Sequence, residues 1–334
     1  MTIRVLRPGL LTTVQDTGRA GLQSCGIGPG GAMDSLALRL ANILAGNASD
    51  AAGLELTLTG PVLQFDTDAL IAITGAALSP TISGETIPAG RAVLVRAGND
   101  LAFGACISGC RGYLAVAGGF DVPVILGSRA TNLGAHFGGV HGRALCTGDE
   151  LPVGAPSDDA ERLVRRLAAA SRPWVADHAG FSRELVSRHG PDGFVRLLPG
   201  AQSDHLSVPS GRALFESSFR VSTKSDRMGY RLEGPPLTLA PVVEMTSEAV
   251  TWGTMQLPPD GQPIILLADR QTTGGYPVIG HVATVDLPLL AQRKPGDAIR
   301  FVSTTLASAQ RALVDRERAI VTATRALHAQ RTSE

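Results

Sequence analysis

Three short stretches concentrate side chains able to bind or polarise a small molecule: Thr12-Thr13-Val14-Gln15-Asp16-Thr17-Gly18-Arg19, Ser225-Asp226-Arg227-Met228-Gly229-Tyr230-Arg231-Leu232 and Asp269-Arg270-Gln271-Thr272-Thr273-Gly274-Gly275-Tyr276-Pro277. Each mixes directional donors and acceptors with glycine, which lets a ligand or a neighbouring backbone approach closely. Arg227 offers a planar fork of donors suited to a carboxylate or an oxyanion, a geometry that lysine does not reproduce. Asp269 follows the apolar run Ile264 to Ala268, so a rigid strand would present a turn in which acceptor, donors and backbone N–H groups converge. The ordinary alternative is that Asp and Thr tie turns together while arginines pair with surface carboxylates.

Other motifs fail on their context. Gly26-Ile27-Gly28-Pro29-Gly30-Gly31 has the GxGxxG spacing and precedes a helix. Pro29, however, removes an N–H from the loop that would cradle a pyrophosphate, and the chain lacks alternating βαβ units. Lys224 and Lys294 do not complete a Gly-Lys-Ser/Thr phosphate loop, so ATP is not expected to bind this chain in that mode. There is no GxSxG elbow and no HExxH, and the seven histidines are scattered, so no metal site is expected.

These loops need elements to hold them. The 334 residues favour two domains, and 39 glycines with 21 prolines imply many turns between short strands. Strands are predicted over Leu54 to Leu58, Ala69 to Thr74, Ala92 to Arg96, Gly112 to Ala117, Val195 to Leu198, Pro263 to Ala268 and Ala298 to Val302. A helix should start at Asp34 as N-cap, bury Leu36, Leu40, Ile43 and Leu44, and stop at Gly46. A second, capped by Ser157 or Asp158, carries Leu163, Val164 and Leu167 and reads as a linker. Leu306, Leu313, Ile320 and Leu327, with Val314 and Val321 beside them, predict a long C-terminal helix with one apolar stripe. The halves also share punctuation. Val5-Leu6-Arg7-Pro8-Gly9 is similar to Arg196-Leu197-Leu198-Pro199-Gly200, and Leu58-Thr59-Gly60-Pro61-Val62-Leu63 to Leu232-Glu233-Gly234-Pro235-Pro236-Leu237, which points to two related barrels.

Composition narrows the partners. Thirty basic and thirty acidic side chains cancel without a basic run, so nucleic acid is not expected as a partner. No apolar run reaches the roughly 18 to 20 residues of a membrane span, and the chain opens on the alternating Ile3-Arg4-Val5-Leu6 rather than a signal peptide, so no membrane contact and a cytoplasmic location are expected. Cys25, Cys106, Cys110 and Cys146 match no zinc or redox spacing and are expected to be reduced thiols.

The three clusters occur together with Gly31-Ala32-Met33-Asp34, Ala41-Asn42-Ile43-Leu44-Ala45-Gly46-Asn47, Gly112-Tyr113-Leu114-Ala115-Val116-Ala117-Gly118-Gly119, Leu126-Gly127-Ser128-Arg129, Gly142-Arg143-Ala144-Leu145, Asp260-Gly261-Gln262-Pro263-Ile264 and Lys294-Pro295-Gly296-Asp297. In this ordered set, spanning residues 3 to 302, the chain resembles the KipA-type family, also called allophanate hydrolase subunit 2 or the biotin-dependent carboxyltransferase family. It departs from the family at Ala201, where a proline is usual, and at Ala249, Trp252 and Met255, where Gly, Pro and Ile are usual around Gln256.

The resemblance implies a mainly β chain of two cyclophilin-like β-barrels with a few helical inserts. The expected division is a first barrel over 1–155, a helical linker over 156–190, a second barrel over 191–304 and a C-terminal amphipathic helix over 305–334. It further implies the C subunit of an ATP-dependent 5-oxoprolinase, inactive alone and working on a lactam together with a KipI-like B subunit and an A subunit. ATP would be used by the complex. One alternative is a regulatory protein opposing a KipI-like histidine-kinase inhibitor. Another is a carboxyltransferase component whose biotin arrives on another chain, since neither lysine has a Met-Lys-Met setting. Such substrates share a planar N–C=O group, which needs donors, an acceptor and charge stabilisation. On that basis Arg227 would be the electrostatic clamp, and Asp269 with Asp16 would supply acceptors or a base. Gln15, Arg19, Gln256, Gln271, Thr273 and Tyr276 would bind substrate.

Overall fold

The computed structural model describes residues 1–182, 185, 194–240 and 245–332. The chain is mainly β and divides into two units: residues 1–19, 30–188 and 320–334 form the first, and residues 20–29 and 189–319 form the second.

The first unit holds two six-stranded sheets. One runs in the order Glu150–Pro152, Thr2–Arg7, Val62–Phe65, Asp100–Ala102, Thr81–Ile82, Glu85–Thr86, and the other in the order Trp174–Gly180, Arg91–Val95, Ala69–Ala77, Ser108–Val116, Gly53–Thr57, Leu11–Gln15. Period-two alternation decides what each strand buries. Val14, Leu54 and Leu114 stand opposite one another in the second sheet and join Ile3, Val5 and Leu63 of the first sheet in one core. The residues between them, Thr13, Glu55, Tyr113 and Thr74, form a cross-strand row on the other face. Thr74 Oγ1 donates to the Ala37 carbonyl at 2.6 Å, which ties helix Ser35–Ala45 to that face. The helix begins and ends as its caps predict. Asp34 Oδ1 accepts from Ala37 N at 2.9 Å, and Gly46 closes the helix with a φ of 77° that a side chain would resist.

The second unit closes a seven-stranded barrel in the order Phe194–Pro199, Val278–Val282, Thr254–Gln256, Ile264–Leu266, Gly229–Glu233, Phe219–Val221, Ala298–Ser303. Closure comes from parallel pairing of the last strand with the first, Val195 opposite Phe301. The predicted strands all fall on observed ones, with edges moved by a residue or a few.

The predicted linker contributes to the first unit. Helix Asp158–Leu167, capped by Ser157 Oγ, buries Ala160, Leu163 and Leu167, and strand Trp174–Gly180 joins the sheet edge beside Arg91–Val95. Residues 183–184, 186–190 and 191–193, where the linker is expected to end and the second barrel to begin, lie outside the described residues. The C-terminal helix runs Leu306–Thr332. Ala309 packs with Ala283 and Val285 in the second unit, while Ile320 and Leu327 pack with Leu36, Leu40 and Leu44 in the first. Val314 and Val321, at 46% and 44% exposure, are not part of the buried stripe. They sit about 100° around the helix from Leu313 and Ile320, which turns them toward solvent.

The repeated punctuation is kept only in part. Pro8-Gly9 and Pro199-Gly200 each follow or end a strand. Leu58, however, lies in a turn at φ 59°, whereas Leu232 is inside a strand opposite Val221. What the two segments share is a glycine against a phenylalanine. A Cβ at Gly60 would lie 2.5 Å from Phe103 Cβ, and one at Gly234 would lie 2.5 Å from Phe219 Cδ1.

Candidate functional site

In the first unit the strand Leu11–Gln15 delivers Gln15, Asp16 and Arg19 to a turn at residues 125–128. Ile125 and Ser128 exchange backbone hydrogen bonds at 2.8 and 3.3 Å around Leu126 and Gly127, both at positive φ. Asp16 holds this turn by accepting from Ser128 Oγ at 2.6 Å and Arg129 N at 2.6 Å, and it closes its own loop through Gly18 N at 2.8 Å. Arg19 is buried. It donates to the carbonyls of Ile125 at 3.1 Å and Ala130 at 2.6 Å, and its guanidinium lies 4.6 Å from the Phe137 ring centre. Gln15 Nε2 donates to Thr13 Oγ1 at 3.0 Å and the Thr131 carbonyl at 3.2 Å, while its Oε1 is shielded from solvent.

The geometry makes Asp16 and Arg19 positioning residues for an exposed apolar turn, since Val124, Ile125 and Leu126 are 55%, 37% and 49% exposed. Asp16→Ala should cost about 2 to 3 kcal/mol, the scale of lost hydrogen bonds to a charged acceptor, and Asp16→Asn should cost less because it keeps one oxygen. Urea denaturation of the two variants measures this, and amide exchange at residues 125–130 should speed up in the alanine variant.

Beside that strand lies a buried polar network that the sequence alone did not reveal. Glu55, Tyr113, Arg111 and Asp34 are each buried. Tyr113 Oη donates to Glu55 Oε2 at 2.7 Å, and Arg111 Nε lies 3.8 Å from Glu55 Oε1. Three successive backbone N–H groups then meet fixed acceptors: Ala32 N the Asp16 carbonyl at 2.9 Å, Met33 N Glu55 Oε2 at 2.8 Å, and Asp34 N Tyr113 Oη at 2.7 Å. Burial, followed by the Glu55 charge, pushes the Tyr113 phenol well above its ordinary pKa, so it remains a donor. The only sequence signal is a lone acid between leucines, Leu54-Glu55-Leu56, inside an apolar strand.

In the second unit Arg227 and Asp269 meet. Arg227 Nε donates to Asp269 Oδ2 at 2.8 Å and Nη2 to Oδ1 at 3.1 Å, with the two side chains 6% and 8% exposed. Asp269 N also donates to the Arg227 carbonyl at 2.9 Å. Clamp and acceptor are thus bonded to each other, and each positions the loop of the other. The next residue, Arg270, is buried with its Nη1 3.3 Å from the Leu267 carbonyl, and burial lowers its pKa. Gly28 of the GxGxxG stretch packs on this loop, since a Cβ there would stand 2.8 Å from the Arg270 carbonyl oxygen. Gln256 is buried and donates from Nε2 to the Tyr276 carbonyl at 3.3 Å. Thr273 pairs with Ala249 in a two-stranded ribbon, and Gln271, Thr273 and Tyr276 are exposed. Within this unit, therefore, Arg227 and Asp269 form one buried pair, Gln256 is buried separately against the Tyr276 carbonyl, and Gln271, Thr273 and Tyr276 are exposed. Among the described residues no cluster of His, Cys, Asp or Glu has the arrangement to hold a metal.

Two β units, one a closed barrel, carrying these loops define a carboxyltransferase-type domain, and the sequence bears this out. Residues 25–303 match the carboxyltransferase domain, subdomain A and B, and the chain belongs to this family. It is 37% identical over 318 residues to the C subunit of 5-oxoprolinase from Escherichia coli (strain K12), covering 95% of this chain and 96% of that protein. It is 38% identical to the protein of the same name from Haemophilus influenzae, covering 89% of each. The Kluyveromyces lactis urea carboxylase structure matches with a TM-score of 0.85 at 29% identity, covering 96% of this chain and 29% of that one.

Proposed function

We propose that this protein is the C subunit of a 5-oxoprolinase, working in the cytoplasm with a KipI-like B subunit and an A subunit in the ATP-dependent hydrolysis of 5-oxoproline to L-glutamate. The observation that carries the reading is end-to-end similarity to separate 5-oxoprolinase C subunits, at 37% identity over 96% of the Escherichia coli protein. The chain's own residues also favour a supporting role in a larger catalyst. Arg227 and Asp269 are hydrogen-bonded to one another, so neither stands ready as an isolated acid, base or clamp. In this reading Gln271, Thr273 and Tyr276 contact the planar N–C=O group and the buried pair fixes the loop that carries them. The purified chain alone should therefore release no glutamate from 5-oxoproline with ATP present, measured by a coupled glutamate assay. Turnover by the isolated chain would overturn its place as one component of a larger enzyme.

Carboxyl transfer is a second reading, favoured by the urea carboxylase likeness over nearly the whole chain. A biotin carrier would then have to come from another protein. It predicts transfer of labelled bicarbonate to an amide substrate that depends on an added biotinylated carrier.

A further inference from the structure

Cys106 and Cys110 match no redox motif by their spacing, and it is the fold of the first unit that makes a pair of them. Cys106 N donates to the Leu58 carbonyl at 2.7 Å, and Leu58 N donates to the Cys110 carbonyl at 2.9 Å. In a regular antiparallel pair one residue makes both of these bonds. Here Cys106 and Cys110 share that single place, and Ile107, Ser108 and Gly109 are looped out between them, with Ile107 exposed and Gly109 at a φ of 81°. The sulfur position agrees. Cys106 Sγ stands 3.2 Å from the Gly109 carbonyl oxygen, one peptide bond short of Cys110, which by standard backbone dimensions puts it within about 6 Å of Cys110 Cα.

The two sulfurs have different settings. Cys106 is half-buried, and its S–H donates to the Ser108 and Gly109 carbonyls at 3.2 Å each. Cys110 is buried, and its Sγ accepts from Arg111 Nη1 at 3.6 Å. A guanidinium so placed stabilises the negative charge of a sulfur nucleophile. Cys106 is thus the sulfur a small oxidant can reach, and Cys110 the one placed to attack it.

We propose that Cys106 and Cys110 form a redox modification site at which a peroxide converts the thiol pair into a disulfide. The Cys106 sulfur attacks one peroxide oxygen; the O–O bond breaks, that oxygen remains on sulfur as a sulfenic acid, and the other leaves as water. The Cys110 sulfur then attacks the Cys106 sulfur, so that the S–S bond forms, the S–O bond breaks and a second water departs. Over both steps the two sulfurs give up two electrons and the two thiol protons, which reduce the peroxide to two waters. A dithiol reductant reopens the bond by exchange. The inference rests on the geometry of the first unit and not on the 5-oxoprolinase reading.

Tryptic cleavage after Arg96 and Arg111 yields one peptide that holds both cysteines and no other. Folded protein is treated with hydrogen peroxide, denatured in N-ethylmaleimide and mapped by mass spectrometry. The peptide should take up no label and be lighter by two hydrogen atoms, and prior reduction with dithiothreitol should restore uptake of two labels. In Cys110→Ser, with far-ultraviolet circular dichroism unchanged, the sulfenic acid has no partner, so dimedone should trap it on Cys106. A peptide that still takes two labels after peroxide has oxidised the exposed Cys25 and Cys146, or one that gains oxygen on Cys106 while Cys110 stays labelled, would overturn the site. Absence of the dimedone adduct in the folded variant would overturn the role given to Cys106.

Discussion

Asp269→Asn is expected to cost the second unit about 3 to 5 kcal/mol of stability, because it removes the charged partner of a buried, doubly hydrogen-bonded ion pair with Arg227. The pair is bidentate, at 2.8 and 3.1 Å, and both side chains are less than a tenth exposed. Arg227→Lys keeps the charge but not the fork, so its cost should be smaller, about 1 to 2 kcal/mol. Replacing both partners, Arg227→Met with Asp269→Leu, should recover much of the loss, since two apolar groups of similar volume avoid the desolvation that the ion pair must offset. Urea denaturation read from Trp252 emission in the Trp174→Phe chain reports on this unit. Near-normal stability combined with a turnover loss of about 30- to 1000-fold in the assembly would instead make both side chains direct participants in the reaction.

Tyr113→Phe should have the next largest effect, about 2 to 4 kcal/mol in the first unit. It removes the donor to Glu55 Oε2 and the acceptor of Asp34 N together, deep beneath the helix that starts at Ser35. The variant also carries a pH signature. Burial and the Glu55 charge raise the folded-state phenol pKa well above 10.0, whereas in the unfolded chain it titrates near that value. Above about pH 10 the unfolded state therefore binds fewer protons than the folded state, and stability falls as pH rises; below it the contribution is complete. Wild-type protein should lose stability through this alkaline range faster than Tyr113→Phe. Parallel stability–pH curves for the two proteins would remove Tyr113 from the network.

Local signals made part of this structure legible. The helix over Ser35–Ala45 has an acidic N-cap and a glycine stop within a few residues of its apolar face, and those contacts are short-range. The strands were readable because turns punctuate them. Barrels were expected from the repeated punctuation and the family resemblance, but nothing local says which strands close one, because closure depends on pairing Val195 with Phe301, more than a hundred residues away. The same limit explains the site. The three polar clusters were visible as residue types, but nothing local says that Arg227 directs its fork at Asp269, 42 residues on, or that Asp16 and Arg19 face a turn at Ile125–Ser128. Glu55 was missed because an acid inside an apolar strand reads as an exposed position until Tyr113 and Met33 are seen to close over it.

That this chain is the C subunit of a 5-oxoprolinase is tested most directly by add-back. The A and B subunits are mixed with ATP and 5-oxoproline, and glutamate release is followed with and without this protein. Turnover should need all three components and saturate as this chain is added at a fixed ratio to its KipI-like partner. Equal glutamate release in its absence, or none in its presence from A and B subunits that are active with an established C subunit, would contradict the assignment.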